Sequence, residues 1–175
     1  MGVIKALYER YLQLFKPIKW CKKIGLNFEE SSLHIYGKVS FGSEPWIITI
    51  GRNVYITTGC QFVTHDGGVL IFRKDIPDLE ITKPITVGDN VYFGNNVMVL
   101  PGVHIGNNVV IGACSVVTKD IPDNSVYAGN PARFIETTEE YLNKLKKQSL
   151  HLGNLVGKAK DDKLKEYYGY KKAKK

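Results

Sequence analysis

A six-residue period runs through the middle of this chain, and it fits neither an α-helix nor an ordinary β-strand. Large apolar residues recur at every sixth position, at Val87, Phe93, Val99, Ile105, Ile111 and Val117. The third and fourth positions of each unit hold turn-forming residues, such as Asp89-Asn90 and Asn107-Asn108. Neither the 3.6-residue helical repeat nor the two-residue strand alternation accounts for this spacing. A short strand followed by a turn, repeated many times, is typical of a β-solenoid.

The same phase extends upstream and is interrupted once. It is kept by Ile50, Ile56 and Phe62 and, more loosely, by Ile35 and Phe41. Residues 67–84, GGVLIFRKDIPDLEITKP, break the phase, which predicts a long loop that leaves the solenoid. Because this segment carries the apolar run VLIF at 69–72, we expect it to pack against a neighbouring surface. Long loops on a regular scaffold commonly carry function.

Helices are predicted on both sides of the repeats. Residues 3–16 place apolar side chains on one helical stripe, which Pro17 ends. The stripe consists of Ile4, Leu7, Tyr8, Tyr11, Leu12 and Phe15. Thr137 and Glu140 fit a capping box, which predicts a second helix to about Gln148. The Lys-rich stretch 158–175 predicts a frayed helix with a disordered end.

These patterns divide the chain into three parts. They are an N-terminal helix and linker (1–25), a β-helical domain with its loop (26–136), and a C-terminal helix with a Lys-rich tail (137–175). A chain of 175 residues is long enough for one such domain with appendages.

The net charge of +7 is concentrated at the two ends of the chain. Residues 1–25 hold six basic side chains and one acidic side chain, and residues 158–175 hold eight basic and three acidic side chains. The segment between them carries a net charge of −3. No nucleic-acid-reading module adjoins the tail, so we expect a solvated end and no nucleic-acid partner. For the N-terminal helix we favour packing over the open end of the solenoid, which otherwise exposes strand edges. Weak peripheral contact with an anionic membrane is the alternative.

The lack of recognisable targeting signals, together with the cysteine usage, predicts a cytoplasmic protein. The chain contains no run of about 18 apolar residues and no secretory signal pattern. Cys21, Cys60 and Cys114 are odd in number and lack C-x-x-C spacing, which argues against a disulfide framework and a zinc knuckle. Cys60 occupies a small fifth position of its unit, so we expect it to fill space in the core.

Four segments, in this order and spacing, resemble the hexapeptide-repeat acyltransferases: ITVGDNVYFGNN, VMVLPGVHIG, VIGACSVVTKDIP and AGNPARFI. The match is to the maltose, galactoside and xenobiotic acetyltransferase branch, over roughly residues 35–136. It implies an all-β solenoid, a left-handed parallel β-helix of hexapeptide repeats with N- and C-terminal helices and one protruding loop. The left hand comes from the family, since parallel crossovers are otherwise almost always right-handed.

The resemblance places a catalytic His at the end of the coil before the protruding loop, which is His65 in VTHDGG. A neutral imidazole is a suitable base for removing a hydroxyl proton as the oxygen attacks a thioester. A backbone N–H is the expected donor to the oxyanion. Asp66 follows His65 directly and points to the opposite side of an extended strand. The group that orients His65 therefore stays open among Asp75, Asp78, Glu80 and a backbone carbonyl.

Acetyl-CoA is the acyl donor that the resemblance implies, and the chemistry requires no metal. The implied cofactor-binding residues are Asn95, Ala113, Thr118, Lys119 and Arg133. Lys and Arg are the natural partners of phosphate groups. In this family the cofactor lies in a groove between two subunits of a trimer, so a homotrimer with sites between subunits is implied. The candidate acceptor-binding residues are Asp66, Arg73 and Lys74.

The predicted function is acetyl-CoA-dependent O-acetylation of a saccharide. SFGSEPWIITIG replaces the acceptor motif of the maltose and galactoside enzymes. HDGG after a TTG turn, together with GSEP, looks closer to the acetyltransferases of surface-polysaccharide biosynthesis. N-acetylation of an amino sugar or nucleotide sugar is one alternative, and a non-catalytic β-helix scaffold is another. A γ-type carbonic anhydrase needs three zinc-binding His, and the regular repeats hold only His65 and His104.

Overall fold

Two helices precede the β-structure in the computed structural model, which describes residues 2–170. They are α1 (Gly2–Phe15) and α2 (Pro17–Lys23). Pro17 ends the first helix as predicted, because its ring cannot follow a helical turn without a clash. It also starts the second, since Pro is well suited to a first helical position. The linker predicted after Pro17 is therefore largely helical.

Thirteen strands follow within the described residues, and the first twelve pair with one another only in parallel. The strands are β1 (Asn27–Phe28), β2 (Leu33–Ile35), β3 (Ile48–Ile50), β4 (Val54–Ile56), β5 (Gln61–Phe62), β6 (Ile85–Val87), β7 (Val91–Phe93), β8 (Met98–Val99), β9 (His104–Ile105), β10 (Val109–Ile111), β11 (Val116–Val117), β12 (Ser125–Ala128) and β13 (Arg133–Thr137). The last, β13, folds back antiparallel on β12, which the six-residue period did not predict.

The strands visit three sheets in rotation. One sheet has the order β1-β3-β6-β9, a second has β2-β4-β7-β10-β12 with β13 at its edge, and the third has β5-β8-β11. From β3 to β11, three successive strands lie in three different sheets, and the fourth pairs with the first. Thr49 is thus in register with Thr86, and Thr86 with His104. The chain winds as a three-sided coil of parallel strands.

The six-residue step forms the interior of this coil, as predicted. The six residues of the step from Val87 to Val117 are each at most 4% exposed. Phe41, Phe62 and Phe93 are in contact inside the coil: the first two rings stack with centroids 5.1 Å apart, and Phe62 meets Phe93 edge to face at 5.4 Å. Asn90 and other fourth-position residues take positive φ, here 58°, which Asn tolerates better than most residues. Each unit therefore supplies one short strand and one left-handed turn.

Four asparagines form a ladder of amide hydrogen bonds along one corner of the coil. Asn53 Nδ2 donates to Asn90 Oδ1 at 2.8 Å, Asn90 to Asn108 at 3.0 Å, and Asn108 to Asn124 at 2.9 Å. All four residues lie in left-handed turns, with φ between 56° and 58°. The ladder ties one corner of successive coils together.

Most of the apolar stripe of α1 does not pack over the coil, contrary to our expectation. Leu12 is buried, whereas Ile4, Leu7 and Phe15 are 77%, 63% and 67% exposed. The coil is covered instead by α2, whose Cys21 is fully buried and whose Trp20 ring lies 5.7 Å from that of Phe41. Because α2 supplies its own apolar side chains to the core, most of the α1 stripe remains outside it.

The interrupting loop also packs less than its sequence suggested. Residues Gly67–Phe72 form a 3₁₀-helix, and of its apolar run only Val69 is buried. Leu70, Ile71 and Phe72 are all more than half exposed. A 3₁₀-helix turns once every three residues, so a run of four apolar residues cannot all face the same side.

By its contacts the chain forms two units, one up to Glu139 and one from Glu140 onward. Helix α3 (Thr138–Gln148) matches the helix predicted after Thr137. The second unit holds the rest of α3 and then α4 (Gly157–Tyr167), within the stretch predicted to be a frayed helix. The predicted disordered end, residues 171–175, lies outside the described residues. Within residues 2–170 no helix is both long and apolar enough to cross a bilayer.

Candidate active site

His65 lies where the coil gives way to the long loop. Backbone hydrogen bonds close the base of this loop on both sides of it: Asp66 N donates to Ile81 O at 2.9 Å, and Lys83 N donates to Thr64 O at 2.8 Å. The loop therefore leaves and re-enters the coil through a paired backbone. His65 sits on this paired segment, which fixes its backbone while its side chain stays 40% exposed.

The imidazole of His65 is held by Glu44. Glu44 Oε2 lies 3.0 Å from His65 Nδ1 and accepts a hydrogen bond of 2.5 Å from Thr64 Oγ1. Thr64 is fully buried, so its hydroxyl is a fixed donor. A carboxylate can only accept, so Nδ1 is the nitrogen that carries the proton. The other ring nitrogen, Nε2, is then the one available to accept a proton from a reactant.

Glu44 and His65 each shift the pKa of the other. The hydrogen bond that His65 donates to Glu44, and then the charge of Glu44, raise the pKa of His65 above its ordinary value. The hydrogen bond from Thr64, followed by that from His65, lowers the pKa of Glu44. Glu44 therefore stays ionised at neutral pH, and it makes His65 a stronger base than a free imidazole.

Sequence analysis did not identify Glu44 as the orienting group. It left the role among three acids of the loop and a backbone carbonyl, and the structure brings none of the three carboxylates to the imidazole nitrogen. Of those acids, Glu80 contributes only a weaker electrostatic influence on the His65 pKa. The GSEP segment that contains Glu44 was noted for its family resemblance alone.

A cavity of about 220 Å³ opens beside His65. It is lined by Glu44, His65, Asp66, Gly67, Val69, Leu70, Arg73 and Glu80. Two of the three predicted acceptor-binding residues, Asp66 and Arg73, are in this lining, and Lys74 is not. Both also support the loop itself: Asp66 Oδ1 accepts from Gly68 N at 2.8 Å, and Arg73 pairs with Glu80 at 2.5 Å.

A second concave surface brings together two of the predicted cofactor-binding residues. Lys119 and Arg133 line a cavity of about 390 Å³ with Asp120, Tyr127, Phe134 and three apolar residues. Arg133 begins β13, just after the cis peptide bond between Asn130 and Pro131. Two cations on one concave surface can bind a phosphate group. Thr118 is exposed next to Lys119 and does not line this cavity.

Asn95 and Ala113 lie on neighbouring coils. Cys114 N donates to Asn95 O at 2.8 Å, and both predicted residues are exposed. The coils approach closely here, since a Cβ atom added at Gly94 would lie 2.5 Å from Ala113 N. This part of the surface is an exposed backbone edge, and the side chain of Ala113 adds little to it.

His104 and Cys60 take part in packing and hydrogen bonding within the coil. His104 Nδ1 lies 2.6 Å from Thr86 Oγ1 on the exposed side of the coil. Cys60 is buried as predicted, and burial raises the pKa of its thiol. Among the described residues, no group of three or more His, Cys, Asp or Glu side chains is arranged to hold a metal ion.

Comparison with known proteins connects this geometry to a family. Residues 84–119 match the family described as bacterial transferase hexapeptide (six repeats). The Staphylococcus aureus protein CapG is 56% identical over 106 residues, which is 61% of this chain and 62% of CapG. The chain thus spans less than two thirds of that relative's length.

Two solved structures are similar across most of the chain. The first is a maltose O-acetyltransferase from Clostridium difficile 630, with 28% identity, a TM-score of 0.52, and 68% of this chain and 73% of that one covered. The second is a galactoside acetyltransferase in complex with coenzyme A, with 26% identity, a TM-score of 0.54, and coverage of 89% and 87%.

Proposed function

We propose that this chain, which belongs to the hexapeptide-repeat acyltransferases, is a cytoplasmic acetyl-CoA-dependent O-acetyltransferase of saccharides, with a role in surface-polysaccharide biosynthesis. The observation that carries the proposal is the Glu44–His65 pair beside a cavity at the base of the loop. The family places such an activity on a left-handed parallel β-helix, and the three-sided coil is consistent with that fold. The resemblance also supports a homotrimer with its sites between subunits.

His65 acts as the general base in this proposal. Its Nε2 takes the proton of the acceptor hydroxyl while the oxygen attacks the thioester carbonyl carbon. Glu44 keeps the Nδ1 proton in place and stabilises the imidazolium that forms. When the carbon–sulfur bond breaks, His65 returns the proton to the departing sulfur. The ring ends neutral, and one acetyl group has moved from sulfur to oxygen.

Acetyl-CoA supplies the acyl group as a thioester, and this chain's residues fit its parts. Lys119 and Arg133 offer two cations on one concave surface for phosphate. Thr118 lies next to Lys119 outside this cavity, and we propose that it contacts the coenzyme further along. Asn95 and Ala113 present an exposed backbone edge to the amide-bearing pantetheine arm.

The acceptor is proposed to bind in the cavity beside His65. Asp66 and Arg73 line it and are our candidate acceptor contacts. Lys74 lies outside the lining, and we assign it no contact with the reacting sugar. The carboxylates of Glu44, Asp66 and Glu80 outnumber the single guanidinium of Arg73. This balance disfavours an anionic acceptor and makes an amino sugar, acetylated on nitrogen, the second candidate.

The test is acceptor-dependent release of CoA thiol from acetyl-CoA, with neutral, amino and acidic sugars in one panel. We expect His65→Ala to lower the rate by at least about two orders of magnitude. His104→Ala is the control, since it removes another exposed imidazole from the solenoid, on β9. Full turnover in His65→Ala would exclude the proposed base. Absence of turnover in the wild type with every sugar would favour the non-catalytic scaffold.

A further inference from the structure

Helix α1 turns its apolar side chains away from the rest of the protein. Its inward side is marked by Leu12, which is 5% exposed, and by Gln13, whose Nε2 donates to Val39 O at 2.8 Å. The outward side carries apolar residues that are 46% to 77% exposed, namely Ile4, Leu7, Tyr11, Leu14 and Phe15. At 3.6 residues per turn, these five cover roughly one third of the helix circumference. We call them the outer face of α1.

Cations lie near this outer face. Helical geometry places Arg10 next to Leu14 at one edge of it, while Lys5 lies further round the helix, close to Leu12, and both are exposed. Lys16 and Lys19 follow at the junction with α2 and are also exposed. Within the described residues none of these four takes part in an ion pair.

Two further cations stand beside the helix and are already partly neutralised. Lys22 pairs with Glu30. Lys23 Nζ lies 3.0 Å from Glu9 Oε1 and 5.3 Å from the centre of the Tyr8 ring. The local excess of positive charge therefore rests on four residues in or next to α1, namely Lys5, Arg10, Lys16 and Lys19.

We propose that α1 is an interfacial helix that binds an anionic phospholipid surface through its outer face. An amphipathic helix with an apolar face and bordering Lys or Arg lies in the plane of a membrane, with that face between headgroups and acyl chains. Tyr11 suits this depth, because an aromatic ring with a polar tip prefers the interface. The proposal is independent of the enzymatic function.

Charge complementarity selects this occupant over a second copy of the chain. A second α1 laid on the first would bring the same cations against the same cations. An anionic leaflet supplies the opposite charge, which attracts basic segments within about a Debye length of its surface. It also accepts apolar side chains without a complementary protein surface. Both properties of the outer face are thus met by one partner.

The experiment is co-sedimentation of the full chain with vesicles of phosphatidylcholine containing no, 20% or 40% phosphatidylglycerol. We expect the bound fraction to rise with the anionic content and to fall as salt is added. Leu7→Ser/Phe15→Ser is expected to weaken partitioning at least tenfold. These side chains are 63% and 67% exposed, so the double change leaves the fold intact. Lys5→Gln/Arg10→Gln, which removes two of the four cations, is expected to reduce the dependence on anionic lipid measurably.

Matched controls come from α3. Leu142→Ser/Leu145→Ser makes the same chemical change on side chains that are 49% and 44% exposed, and Lys146→Gln/Lys147→Gln removes the same charge. Both are expected to bind like the wild type. The proposal is overturned if the wild type ignores anionic vesicles, or if the α3 variants lose as much binding as the α1 variants. It is also overturned if Leu7→Ser/Phe15→Ser lowers the oligomeric mass in sedimentation velocity, because the outer face would then be covered by a second copy.

Discussion

Glu44 Oε2 lies 3.0 Å from Nδ1 of His65, although 21 residues separate the two along the chain. The contact gives His65 its tautomer, its orientation and a raised pKa at once. A general base with this partner should lose activity in acid, as the imidazole becomes protonated. The pH profile of the reaction therefore reports directly on the pair.

Glu44→Gln is expected to change both the height and the position of that profile. Without the carboxylate the His65 pKa falls towards its ordinary value of about 6.5, so the acid limb of kcat/KM moves to lower pH. The plateau should drop by about two orders of magnitude, because an amide can donate to Nδ1 and stabilise the wrong tautomer. CoA release measured between pH 5 and 9 checks both effects. A limb that stays in place would show that Glu44 does not govern the base.

Thr64→Val is expected to act through Glu44. The change removes the hydrogen bond that contributes most to lowering the Glu44 pKa, and it should reduce stability by about 1 kcal/mol at neutral pH. A carboxylate with a lowered folded-state pKa stabilises the fold above its unfolded pKa of about 4.3 and loses that contribution as pH falls. The deficit of Thr64→Val should therefore shrink in acid. Urea unfolding at pH 7 and at pH 3.5 measures it, with Thr64→Ser as the control that keeps the hydroxyl.

The coil was predictable because its determinants are local. Each unit repeats an apolar residue and a turn-former at fixed positions, and Asn90 and Asn108 take the left-handed turns that their type favours. Glu44 was not predictable in this way. Its contact with His65 joins segments separated by β3, β4 and β5, and no local pattern connects them. The packing of the apolar stripe of α1 could not be predicted either. Periodicity identifies an apolar face of a helix without identifying what covers that face.

Gly94→Ala is expected to destabilise the coil at a place where the backbones of two neighbouring turns approach closely. A Cβ atom there would lie 2.5 Å from Ala113 N and 2.9 Å from its Cα, both backbone atoms that cannot rotate away. Overpacking of this kind costs about 1–3 kcal/mol. The matched control is Gly67→Ala, where an added Cβ meets nothing within 4 Å. If thermal unfolding shows the same loss of stability for Gly94→Ala and Gly67→Ala, the close approach to Ala113 is not the reason that position 94 requires glycine.

Asn90 allows backbone strain to be separated from hydrogen bonding. Asn90→Ala loses both amide bonds of the ladder and places a Cβ-bearing residue without a polar side chain at a φ of 58°, whereas Asn90→Gly loses the bonds alone. The left-handed conformation costs roughly 1–2 kcal/mol for an ordinary residue. We therefore expect Asn90→Ala to unfold at a lower temperature than Asn90→Gly, with both below the wild type. The opposite order would mean that the turn exerts no conformational demand.

Arg133→Ala and Lys119→Ala should each raise the KM for acetyl-CoA about tenfold and leave kcat nearly unchanged. A phosphate contact distant from the reacting carbon binds ground state and transition state alike. Added salt should reduce the difference in KM between each variant and the wild type, since salt screens exposed charges. Lys74→Ala, which removes an exposed cation outside both cavities, is the control. A fall in kcat with an unchanged KM would contradict the assignment of Arg133 and Lys119 to cofactor binding.

The paired backbone at the base of the loop makes residues 67–84 a segment that can be replaced without disturbing the coil. The bonds from Asp66 to Ile81 and from Lys83 to Thr64 close the insertion before the coil resumes at β6. Its length can change without altering the winding on either side, since each coil contacts only its neighbours. Under the proposed function, replacing this one loop changes the acceptor while His65, Glu44 and the concave surface of Lys119 and Arg133 are kept. Transplanting a relative's loop onto these two anchor points is therefore expected to alter the acceptor preference.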